Sequence, residues 1–251
     1  MIKLYKDKKW LYQKYINEKL SANKIGKLCG IFGIGYWLKK YNILIRSRSE
    51  ANHLSKANHC NLSEEASEWI NGELLGDGCL FSESIYSASF RYQSKYIEYI
   101  KYISDTLNSF GIKQSGKIIK NYNKKYGNCS YYYSSCSYVE LYPIRKQWYP
   151  EGKKIIPKDI ILTPLTCRQW YIGDGNLKHY KEKKRPSISL ATCGFSILDV
   201  EWLITQLFKL GFKITRWPIS NIIGISTYST KEFLEYIGHC PTKCYKYKWA
   251  Y

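Results

Sequence analysis

Apolar residues change their spacing several times along the chain, and each change marks a predicted element. Over Lys8–Glu18, Trp10, Leu11, Tyr15 and Ile16 recur at the interval of one helical face. Leu20-Ser21 breaks that pattern, with Ser21 placed as an N-cap, and a second helix over Ala22–Cys29 turns Ile25 and Leu28 inward. The glycines of "GIFGIG", Gly30 to Gly35, supply a turn, and a third helix carries Tyr36 to Tyr41. Three short helices with a glycine turn before the last predict a small all-α module over residues 1–45 of helix-turn-helix type, its basic end at Lys39 and Lys40. From 46 to 61 apolar residues thin out among Arg46, Arg48, Lys56 and small polar residues, and the stretch reads as a basic linker able to track phosphates.

Beyond it the chain repeats an order of elements. "SASFRYQS" alternates as a strand, and a helix follows with Ile97, Ile100, Ile103 and Leu107 on one face, closing at Gly111. "PSISLATCGF" and the helix of "SILDVEWLITQLFKLGFK", closing at Gly211, restate this in the second half. Each half then returns to strand-like sequence. A short last helix over Lys231–Ile237 finds its counterpart near Tyr138–Tyr142. The expected architecture is α+β: two halves, 62–155 and 156–251, each reading helix, two strands, helix, two strands, helix around an antiparallel sheet.

Charge changes the picture from fold to partner. A net +19 with 39 Lys and Arg against 20 Asp and Glu points to a polyanion. The start "MIKLYKDKKW" has no apolar signal core, and the longest run of low polarity, Leu28–Leu38, is too short to span a bilayer, so an intracellular protein that does not enter the membrane is expected. Nine cysteines without framework spacing suit reduced thiols, and "HCPTKC" (His239 to Cys244) lacks the second pair a structural zinc needs.

The candidate chemistry sits at a duplicated tripeptide. Gly-Asp-Gly follows an apolar, helix-compatible segment twice, at Asp77 and Asp174, 97 residues apart; Gly111 follows the first by 34 residues and Gly211 the second by 37. A carboxylate at a helix C-terminus adds to the negative end of the macrodipole and to unpaired carbonyls, so a cation belongs there. Gly78 and Gly175 suit a left-handed helix close, while Gly76 and Gly173 allow two helices to touch. Convergence would then gather two carboxylates with the Gly76 and Gly173 carbonyls. That all-oxygen set suits Mg²⁺, with Mn²⁺ as a substitute, and on a basic protein suggests phosphodiester hydrolysis.

The motifs "INGELLGDG" (Ile70–Gly78) and "CRQWYIGDG" (Cys167–Gly175) resemble the signature helices of single-chain LAGLIDADG homing endonucleases, and the likeness extends over Leu62–Tyr251. The resemblance implies two pseudo-symmetric αββαββα halves, a saddle of antiparallel strands on the DNA, and Mg²⁺-dependent double-strand cleavage with Asp77 and Asp174 as the acidic residues. Glu73, Arg168, Gln169 and Trp170 depart from the family pattern, with Gln169 facing Gly72. Lys146 and Lys246 are candidates for a basic group near the scissile phosphates.

Arg91, Gln93, Ser187, Ser189 and Thr192 are candidates for base readout, and Lys113, Lys117, Lys120, Arg185, Lys213 and Arg216 for phosphate and base contacts. Lys39, Lys40, Arg46 and Arg48 extend the DNA-binding set. One chain carrying both halves implies a monomer on a long, non-palindromic duplex. An RNA-binding intron maturase on the same fold, or a catalytically silent DNA-binding regulator, are the alternatives.

Overall fold

The computed structural model describes residues 3–123, 127–179 and 185–251. They divide into two compact units, Met1–Ala57 and Asn58–Tyr251. Among the described residues, no helix is long and apolar enough to cross a membrane.

The first unit is all helical. Asp7 caps α1 (Lys8–Tyr12) by accepting from the Lys9 amide at 2.8 Å, and the helix continues through a π turn over Gln13–Asn17. Ser21 caps α2 (Ala22–Cys29) at 3.1 Å, as its position predicts, and α3 (Ile34–Lys40) follows two left-handed glycines, Gly30 and Gly33. The apolar spacing closes into a core of Leu11, Tyr15, Ile25, Ile34, Leu38 and Ile43. Leu28, expected inward, is exposed. The predicted linker is largely helical: α4 (Arg48–Lys56) starts from Ser47, whose hydroxyl accepts from the Glu50 amide at 3.1 Å.

In the second unit the predicted order of elements appears twice. Ser63 caps α5 (Glu64–Leu75), which leads to β1 (Cys79–Phe81), β2 (Ser89–Ser94), α6 (Ile97–Ser109), β3 (Ile119–Asn123), β4 (Asn128–Ser134) and α7 (Leu141–Trp148). Thr163 caps α8 (Pro164–Asp174), where Pro164 occupies the first turn, the position at which its missing N–H costs nothing. After it come β5 (Gly175–Lys178), β6 (Ser187–Leu190), α9 (Ile197–Lys209), β7 (Ile214–Trp217), β8 (Ile222–Ile225) and α10 (Thr230–Ile237), then a 3₁₀ segment, Lys243–Trp249. The counterpart of α10 is α7, several residues beyond the expected Tyr138–Tyr142.

The two antiparallel sheets share one topology, β1-β2-β4-β3 and β5-β6-β8-β7. Alternation assigns their faces. Leu80, Phe90, Tyr92 and Tyr133 of the first sheet, and Leu177, Ile188, Ile225 and Ile214 of the second, join the buried core beneath the helices. The opposite faces carry the rows Cys79–Arg91–Ser134 and Gln93–Tyr132–Ile119, and in the second sheet Asn176–Ser189–Gly224–Thr215.

The halves meet along α5 and α8. A Cβ on Gly72 would stand 2.5 Å from the Thr166 carbonyl oxygen and 2.8 Å from the Gln169 Cβ, so only glycine admits this approach. Thr163 and Thr166 stitch the other end, donating to the Glu68 carboxylate at 2.9 Å and to its carbonyl at 3.2 Å. Gly72→Ala is therefore expected to lower the unfolding free energy by about 1–3 kcal/mol, the usual cost of overpacking, measured by denaturant titration against the parent.

Candidate active site and nucleic-acid face

The C-terminal ends of α5 and α8 come together at Gly76 and Gly173. A Cβ built on Gly76 would lie 3.3 Å from the Gly173 Cα, and one on Gly173 would lie 3.1 Å from the Asp77 amide nitrogen. Asp77 and Asp174, the residues that follow, are thereby set side by side. Asp77 is exposed, with the Tyr92 hydroxyl donating to its Oδ2 at 3.5 Å; Asp174 is half-buried. Gly78 and Gly175 do not adopt the expected left-handed conformation. Crowding requires them instead: a Cβ on Gly78 would meet the Glu73 carbonyl oxygen at 2.8 Å, and one on Gly175 the Tyr171 ring at 2.0 Å.

The cation that two carboxylates at helix ends demand is supplied in part by lysine. Lys154 Nζ donates to the carbonyls of Gly76 at 3.0 Å and Gly78 at 3.1 Å. Lys248 Nζ donates to Ile172 at 2.6 Å, Gly173 at 3.2 Å and Tyr171 at 3.4 Å. Each ammonium thus closes the negative end of one signature helix. Burial lowers the pKa of both, that of Lys248 to about 8, and the field of Asp174 and Asp77 opposes the shift.

The same centre raises Asp174 to about 7, first through burial and then through repulsion by Asp77, against the pull of Lys154 and Lys248. Glu73, buried beneath the turn, is pushed up to about 8 by desolvation although Tyr99 donates to its Oε1 at 2.5 Å. Among the described residues no group of three or more His, Cys, Asp and Glu gathers as a metal cage. The oxygen donors at hand are therefore two carboxylates and the carbonyls of Gly76 and Gly173, each already accepting from a lysine.

Lys146 and Lys246 do not join this arrangement: both are exposed, on α7 and in the final 3₁₀ segment. Sequence reasoning missed Lys154 altogether, since it lies in the connection between the halves and belongs to no motif. Lys248, two residues beyond Lys246 in "YKYKWAY", was within reach of the reading, but nothing in the local pattern says which lysine turns inward.

The proposed contact residues separate by face. Arg91 and Gln93 lie on the sheet face away from the helices; the Arg91 guanidinium stacks 3.5 Å from the Phe81 ring centroid and Gln93 donates to Ser130 at 2.8 Å. Ser187 and Ser189 share the matching face of the second sheet, where Lys178 lies 4.3 Å over the Trp217 ring, a basic position the sequence reading had passed over. Lys113, Lys117, Arg185 and Lys213 are exposed.

Three others are placed differently. Lys120 pairs in register with Tyr131, in the row of Ser94, on the helix-side face. Arg216 shares a row with the core residue Ile223 and forms a 3.1 Å ion pair with Glu201 of α9. Thr192 is buried and donates to the Asn221 carbonyl. In the first unit Lys39, Lys40 and Arg48 are exposed. Arg46 is held inside it, 4.0 Å over the Tyr15 ring with Nη1 donating to the Leu20 carbonyl at 3.0 Å.

The model of the LAGLIDADG DNA endonuclease family matches residues 67–233, a span that takes in most of α5, the whole of α8 and both sheets. The chain belongs to this family. It is 29% identical over 214 residues to an uncharacterized protein, MJ1098, of Methanocaldococcus jannaschii, covering 82% of this chain and 81% of that one. It is 25% identical over 193 residues to the cytochrome b mRNA maturase bI2 of Debaryomyces hansenii, covering 70% of this chain and 66% of the maturase. The homing endonuclease I-WcaI, solved bound to its DNA recognition sequence, shares the LAGLIDADG fold, with a TM-score of 0.63, 21% identity, and coverage of 81% of this chain and 92% of that one.

The Asp174 environment makes a stability prediction. Its folded pKa of about 7 lies above the unfolded value of about 3.9, so the folded state binds this proton more tightly and loses stability as pH rises between those values. In EDTA at pH 8, Asp174→Asn should unfold with a free energy higher by about 1–3 kcal/mol, and denaturant titrations at falling pH should show the gain disappearing by about pH 4.

Proposed function

We propose that the protein is a monomeric, sequence-specific endonuclease that hydrolyses both strands of duplex DNA with Mg²⁺, for which Mn²⁺ can substitute. The observation that carries this reading is the pair of carboxylates, Asp77 and Asp174, on the touching ends of two helices from duplicated halves, with a lysine behind each helix end. Mg²⁺ commonly takes one or two protein carboxylates and completes its shell with water and substrate phosphate, a demand that Asp77 and Asp174 can meet. When bound it supplies a water of lowered pKa and offsets the charge of the phosphodiester.

The chain's own residues prepare that chemistry. Asp77 and Asp174 would hold the ion, with the carbonyls of Gly76 and Gly173 as further oxygen donors beside them. Lys154 and Lys248 fix the helix ends that aim the carboxylates and bring positive charge toward the scissile phosphates, the role first assigned to Lys146 and Lys246. The open sheet faces, with Arg91 and Gln93 on one side and Lys178, Ser187 and Ser189 on the other, give a duplex distinct side chains over each half-site. Because one chain supplies both halves, the target is long and need not be palindromic. The name of I-WcaI as a DNA-bound homing endonuclease supports the same reading.

Cleavage of a randomised duplex library in Mg²⁺ tests it. The parent should produce double-strand breaks at one recoverable site. Asp77→Asn or Asp174→Asn should each abolish them, a loss beyond the roughly 10–100-fold that accompanies removal of an outer partner of a metal ligand. A parent that binds a site but leaves it uncut in Mg²⁺ and Mn²⁺ would overturn the nuclease reading in favour of a regulator. Tighter binding to an intron RNA, indifferent to both substitutions, would favour a maturase.

A further inference from the structure

The first unit contains a glycine that its own fold does not explain. In the run that joins α2 to α3, Gly30 and Gly33 have φ of +65° and +83°, a conformation other residues rarely adopt, and Gly26 faces the Ile31 carbonyl oxygen so closely that a Cβ would lie 2.6 Å from it. Gly35 is different. It lies within α3 with ordinary backbone angles, and a Cβ built on it meets nothing within 4 Å. Alanine would make a better helix there. A bare position on the side of a helix away from its core has a use when something outside the chain must come close to the backbone.

The neighbours of Gly35 describe that something. Ile34 and Leu38 fill the core from one side of α3. On the other side Gly35, Tyr36 and Lys39 follow one another at helical spacing, with Tyr36 64% exposed and Lys39 exposed, and Phe32, which precedes the left-handed Gly33 at the start of the helix, stands fully in solvent. Lys40 lies elsewhere, 5.0 Å over the Trp37 ring, and Arg46 is committed to Tyr15 and Leu20. Thirteen Lys and Arg against three Asp and Glu give residues 1–57 a net +10, over half of the chain's +19. A surface that combines aromatic, bare and basic positions on so positive a unit fits a polyanion with apolar groups in a groove wide enough for a helix. The DNA major groove, with its thymine methyls and flanking phosphates, meets that description; the deep, narrow major groove of duplex RNA does not.

We propose that the outer face of α3, made by Gly35, Tyr36 and Lys39, together with Phe32 in the turn before it, docks in the groove of duplex DNA as a second contact separate from the cleavage centre, with Gly35 left bare to let the duplex reach the helix backbone. The contact needs neither metal nor cleavage, so it stands or falls apart from the nuclease reading.

The test uses the full chain carrying Asp77→Asn and Asp174→Asn, in EDTA, titrated with a randomised duplex DNA pool and with duplex RNA of the same length. Adding Gly35→Ala should leave the thermal midpoint unchanged or raise it, yet weaken DNA binding at least about tenfold. Tyr36→Ala should weaken binding similarly and shorten the protected stretch in footprinting, and Lys39→Gln should lower the salt dependence by about one phosphate contact. DNA binding by Gly35→Ala and Tyr36→Ala equal to the parent's, or duplex RNA bound as tightly as DNA through this face, would overturn the proposal. Either result is legible even if the parent never cuts DNA.

Discussion

Everything in the second unit is organised by the contact between α5 and α8. Two helices from separate halves touch closely enough that backbone replaces side chain at Gly72, Gly76 and Gly173. That approach fixes the distance between the halves and delivers two carboxylates to one place. It also creates an electrostatic problem, since negative helix ends and ionised side chains converge in a partly desolvated region. Lys154 and Lys248 are the chain's answer, each contributed from outside the helix whose end it closes. The raised pKa of Asp174 and the lowered one of Lys248 are two aspects of that one compromise: the carboxylate is held where water serves it poorly, and the ammonium is held there to serve it.

Such a centre is costly for the fold and suited to a cation. Residues placed for stability alone would not crowd two acids against helix carbonyls, and the buried Glu73 adds a third carboxyl beneath them. The sheets relate to this centre as supports on either side. Their covered faces anchor α5 and α8 in one continuous core, and their uncovered faces carry Arg91, Gln93, Ser187, Ser189 and Lys178 away from it.

Most of the architecture was legible in the sequence because local rules and the tertiary fold agree. Gly111 and Gly211 close α6 and α9 in left-handed geometry, Ser21 caps α2, and the apolar periods of α6 and α9 become buried faces. The failures have separate causes. Residues 48–56 form a helix with little apolar character, so periodicity passed over it, although Ser47 and Glu50 hold the spacing of a capping box. Gly78 and Gly175 were read as left-handed because glycine serves that need most often; the actual demand, room beside Glu73 and Tyr171, exists only in three dimensions. Lys154 and Lys248 reach their carbonyls across 75 or more positions of sequence, and no local pattern registers a contact of that range. The charge of Arg216 and the strand position of Thr192 point to DNA, whereas register and burial commit them to Glu201 and Asn221.

The pairing of Gly72 with Gln169 also makes the seam between the halves asymmetric. The two residues hold the same place in their respective motifs, one presenting an indentation and the other a projection that fills it. Two first halves brought together would set indentation against indentation and leave a void, while two second halves would drive one glutamine side chain into another. The duplicated halves are thereby not interchangeable at this position: one motif gives up a side chain where the other brings its own, and the seam between two like-built halves is asymmetric at its closest point.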